Sequence, residues 1–127
     1  MGEILLIAAD WQLRALVRAQ LLEEGFDVRA LPSLEIALAH LLRSGGQPRL
    51  TIVDTQGLQV EARQLSDLWR LADQAPLILC GGVLSGGMLA QESRLPAEVL
   101  LRPFRVGDLV AQVRKVLACP EDDVTGS

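Results

Sequence analysis

Short continuous apolar runs alternate along this chain with segments whose apolar residues recur every three or four positions. Ile4-Leu5-Leu6-Ile7, Leu50-Thr51-Ile52-Val53 and Leu77-Ile78-Leu79-Cys80 are runs of strand length with no polar alternation. That pattern suits strands buried on both faces, as in a parallel sheet. Residues 26–31 and 99–101 read as two further short strands. Between them, Leu13, Leu16, Val17 and Leu21 keep a helical period with Asp10 as N-cap, and Gly25 stands as a stop. Ser33 caps a second helix carrying Ile36, Ala37, His40 and Leu41, closed by Gly45-Gly46. Residues 60–73 place Leu65, Leu68, Trp69 and Ala72 on one face, a weak fourth helix begins near Met88, and residues 106–117 carry Leu109, Val110 and Val113.

Five strands alternating with five helices predict an α/β fold: a doubly wound parallel five-stranded sheet in the order 2-1-3-4-5, with right-handed crossovers. This order sets the ends of the first and third strands side by side. Ala8, Ala9, Asp10 and Asp54 then share one pocket, which Gly81 and Arg102 enter from strands four and five. The carboxyl ends of parallel strands are where such sheets place their chemistry.

Length and charge narrow the picture. The 127 residues fit one domain, expected over 1–119, with 120–127 as a flexible, uncapped acidic tail. No run approaches the length of a membrane span, and the start lacks a basic segment before its short apolar run, so a cytoplasmic protein without membrane contact is expected. The net charge of −4 and scattered basic residues argue against nucleic acid as a ligand of this domain. Cys80 reads as a core thiol. Cys119 lies near the tail, and the two fit a reducing compartment. His40 has no partners at metal-ligand spacing and reads as a helix-surface residue. The glycine-rich stretch 81–87 matches neither a P-loop nor a dinucleotide fingerprint, so a flexible loop is the expectation.

With these pieces in order, the chain resembles the receiver domain of two-component response regulators over about residues 3–118. The matching pieces are residues 4–9, Gly25-Phe26, Ile52-Val53-Asp54, residues 76–80 and Arg102-Pro103-Phe104. The resemblance implies a flavodoxin-like (βα)5 fold and a role in signal transduction without an enzymatic reaction of its own. It makes Asp54 the phosphoacceptor equivalent. It also implies two acidic residues at the end of the first strand, which bind Mg²⁺, where this chain has Ala8 and Ala9. The signalling hydroxyl of the fourth strand corresponds to Gly81, the lysine before Pro-Phe to Arg102, and the aromatic switch position to Val99. The usual signals after the acceptor are missing from Thr55-Gln56-Gly57-Leu58.

Mg²⁺ demands near-octahedral oxygen ligation. Losing two carboxylates about 4 Å from the ion forfeits on the order of several kcal/mol. Mg²⁺ binding is therefore expected to be lost, and no cofactor is expected in its place. Without the cation, a phosphoryl dianion would meet Asp54 unshielded. Asp10 could swing inward as a substitute ligand, but its N-cap role is favoured. Asp54 is expected to pair with Arg102, directly or through one water, across a cis Arg102-Pro103 bond. Trp11, at the pocket rim, is placed either to plug the emptied site or to contact a partner.

The expected function is a phosphorylation-independent interaction module. Its surface of fourth helix, fifth strand and fifth helix would dock a signalling protein or a second copy. A receiver still phosphorylated on Asp54 by a histidine kinase is the alternative, followed by a small-ligand domain using the glycine loop.

Overall fold

The computed structural model describes residues 2–45, 47–81 and 97–126, with residues 119–126 by backbone alone. Its elements are β1 (Ile4–Ile7), α1 (Trp11–Glu23), β2 (Val28–Leu31), α2 (Leu34–Ser44), β3 (Leu50–Asp54), α3 (Ala62–Leu71), β4 (Leu77–Cys80), β5 (Ala97–Leu100) and α4 (Val106–Gly126). The strands form one parallel sheet in the order β2-β1-β3-β4-β5, as the alternation of runs predicts. The fourth helix expected near Met88 falls outside the described residues.

Strand composition follows position in the sheet. Every residue of the three central strands β1, β3 and β4 is buried, whereas the edge strands β2 and β5 are only partly so. Successive side chains point to opposite faces, and this divides the core in two. Leu5, Ile7, Val53, Leu77 and Leu79 pack against α2 and α3 through Leu34, Ala37, Leu41, Leu65 and Leu68. Ile4, Leu6, Leu50, Ile52, Ile78 and Cys80 pack against α1 and α4 through Val17, Leu21, Leu109, Val110 and Val113. A continuous apolar run is the sequence image of this two-sided burial.

Two helix starts are held by the residues the sequence nominates, and a third by a capping box. Asp10 Oδ1 accepts from Gln12 N at 2.9 Å, and Ser33 Oγ accepts from Ile36 N at 3.2 Å. Gln64 reaches back to Glu61 N at 3.0 Å ahead of α3. The last helix departs from expectation. The apolar period ends at Leu117, yet the backbone stays helical to Gly126. The period marks where packing stops: Val113 is buried, Val116 and Leu117 partly so, and Ala118 is exposed.

Candidate functional site

Asp54 is the last residue of β3 and only 2% exposed, a carboxylate at the carboxyl edge of the sheet. A charge there needs a partner, because burying an ionised carboxylate alone is costly. The partner is Arg102, whose Nη2 donates to Asp54 Oδ1. The same oxygen accepts from Gln56 N at 3.2 Å. Oδ2 has no hydrogen-bond partner among the described residues. Arg102 follows β5 by two residues, and its guanidinium lies over the Phe104 ring, 4.9 Å from the centroid. The planar cation is thus held between a carboxylate and an aromatic face. The Arg102-Pro103 bond is cis, as the resemblance implies.

The neighbouring strand end offers no acid. Ala8 is buried and Ala9 exposed, and Asp10 faces the first turn of α1. Arg14 fills part of this corner: its Nη1 donates to Ala8 O at 2.7 Å and to Ala9 O at 3.4 Å. The acidic pair is therefore replaced by two methyl groups with a guanidinium beside them. This donor set does not suit Mg²⁺, which wants several oxygens, and the nearby Arg14 guanidinium adds charge repulsion. Among the described residues, no group of three or more His, Cys, Asp or Glu is placed to hold a metal ion.

At the end of β4, Gly81 has φ +107°. A Cβ at this position would lie 2.3 Å from Thr55 Oγ1 and 3.9 Å from Arg102 Nε. The Thr55 hydroxyl donates to Cys80 O at 2.9 Å. Beneath it, Cys80 is wholly buried beside Asp54 in the strand register. Desolvation, with the Asp54 charge adding to it, pushes its thiol up to about 12.

Neither a protein-family model nor a curated protein matches the sequence. Solved structures do match. A CheY-like response regulator receiver domain protein from Methanospirillum hungatei superimposes with a TM-score of 0.76 at 18% identity, over 97% of this chain and 98% of that one. A response regulator receiver protein from Sinorhizobium medicae gives 0.73 at 22% identity, over 93% and 95%. The receiver domain of NtrX from Brucella abortus gives 0.70 at 23% identity, over 93% and 100%. The chain has the receiver fold.

Within that receiver fold, Arg102 contacts Asp54, Gly81 lies beside both, Ala8 follows β1 in the register next to β3, and Asp10 caps α1. Trp11 does not plug the site. As the first residue of α1 it is 66% exposed. His40 is more enclosed than a surface residue would be, with its Nε2 3.3 Å from Glu3 Oε2. Val99 is half-buried against the α2–α3 side of the core. Two residues escaped the sequence reading. Arg14 occurs beside the buried flank of α1, where a long cation is out of place unless something receives it. Thr55 places a hydroxyl one residue beyond Asp54, across from a glycine.

Proposed function

We propose that this receiver-type domain acts in signal transduction as a phosphorylation-independent protein–protein interaction module. The observation that carries this reading is the Asp54–Arg102 pair. The carboxylate a phosphoryl group would need is already neutralised by a resident cation, and the residues that would bring Mg²⁺ are Ala8 and Ala9. A guanidinium presents a planar fork of donors that matches a carboxylate. The site, on this reading, is a structural fixture in which no bond is made or broken.

The surface proposed for docking includes β5 and α4, where Leu101 is 60% exposed and Gln112 Nε2 donates to Glu98 Oε1 at 3.0 Å. A signalling protein or a second copy would bind there. No described helix is long and apolar enough to cross a membrane.

The reading is tested by Mg²⁺ titration, followed through the backbone amide resonances of Ala8, Asp54 and Gly81. Millimolar Mg²⁺ is expected to leave these resonances unmoved. A saturable change that disappears in Asp54→Ala would restore the metal site and with it the switchable reading.

A further inference from the structure

We infer that Thr55 and Gly81 form a latch, in which a hydroxyl from β3's end fills the side-chain slot at β4's end and holds the rim of the Asp54 pocket in one arrangement. Three observations converge. Gly81 has φ +107°, and a Cβ built on it would sit 2.3 Å from Thr55 Oγ1, closer than any real contact. The Thr55 hydroxyl and the Thr55 amide both donate to the same acceptor, Cys80 O, at 2.9 and 3.0 Å. Gly81 N in turn donates to Leu100 O at 2.9 Å, two residues before Arg102.

Together these contacts close a ring around the pocket. It runs from Asp54 through Thr55 to Cys80 and Gly81, across to Leu100, and back through Arg102 to Asp54. A side chain at position 81 would have to displace the Thr55 hydroxyl. A hydroxyl at position 55 is tolerated because position 81 has none of its own. The two residues are therefore one compensated unit, and Thr55 is a positioning residue for the pocket rim. This inference deepens the proposed function and rests on it only in reading the rim as held rather than switching.

The test is a set of thermal melts on wild type, Thr55→Ala, Gly81→Ala and the double variant. Gly81→Ala is expected to lower Tm by about 10 °C in the wild-type background, through steric overlap plus left-handed backbone strain. In the Thr55→Ala background the same change should cost about half as much, because only the backbone strain remains. Equal losses in the two backgrounds would overturn the latch.

Should Gly81→Ala fail to fold, a conservative pair decides. Thr55→Ser should stay within about 2 °C of wild type, while Thr55→Val, which keeps the volume and loses the donor, should fall by roughly 5 °C. A Val variant as stable as the Ser variant would overturn the hydroxyl's role. A spectroscopic readout separates holding from mere stability. The Gly81 amide resonance should shift more on Asp54→Asn in the Thr55→Val background than with Thr55 present, and an equal shift would count against the latch. None of these measurements uses a phosphodonor or Mg²⁺. Phosphorylation of Asp54 would thus overturn the proposed function while leaving this coupling standing.

Discussion

Replacing Arg102 by alanine should lower the stability of the domain by about 2–3 kcal/mol, a fall in Tm of roughly 10 °C. The mechanism is the uncompensated acid. Asp54 is 2% exposed, and without Arg102 the hydrogen bond left to it among the described residues is the one from Gln56 N at 3.2 Å. Removing one partner of a fully buried pair typically costs about 3–5 kcal/mol. The lower figure applies because the Arg102 side chain is 35% exposed, so water can reach the space it leaves. The loss of the guanidinium's contact with Phe104 adds to the effect. Asp54→Asn should be tolerated by contrast. It removes the buried charge itself, and Arg102 can turn its charge to solvent. Denaturant unfolding of the two variants checks the asymmetry. An Arg102→Ala variant as stable as wild type would mean that the pair contributes nothing to the fold.

The second large effect is alkaline. The Cys80 thiol is raised from 9.0 to about 12 in the folded chain. Between those values the unfolded chain has given up a proton that the folded chain keeps. Stability contributed by the neutral thiol is therefore intact below about pH 9 and falls as pH rises toward 12. The slope is about 1.4 kcal/mol per pH unit, so moving from pH 8 to pH 10.5 should cost about 2 kcal/mol. The composition makes the effect readable, because the chain has no tyrosine and a single lysine, Lys115. Urea unfolding at the two pH values, in a Cys119→Ser background, gives the measurement. The loss should largely vanish in Cys80→Val. A loss of the same size in that variant would place its origin elsewhere.

Much of the fold was legible because burial on both faces leaves a plain trace. Three uninterrupted apolar runs marked the central strands, and small polar residues at Asp10 and Ser33 marked helix starts. The site's occupants followed from topology: once strands one and three are neighbours, Ala8 and Asp54 must meet. What stayed hidden was side-chain direction. Of the two roles open to Trp11, plugging the emptied site or contacting a partner, its 66% exposure removes the first. Arg14 was overlooked because its acceptors are main-chain carbonyls, which carry no sequence signal. Thr55 was passed over for a related reason. Its importance lies in the space left by Gly81, and a missing side chain advertises no contact. The end of α4 was misplaced because the apolar period reports packing, whereas the helical backbone continues beyond it.

The central claim is that Asp54 serves as an ion-pair partner and does not accept a phosphoryl group. Intact-mass measurement of the protein after incubation with acetyl phosphate and Mg²⁺ tests it most directly. The predicted result is an unchanged mass, identical to that of an Asp54→Asn variant treated in the same way. A gain of one phosphoryl group that maps to Asp54 and is absent from the Asn variant would contradict it.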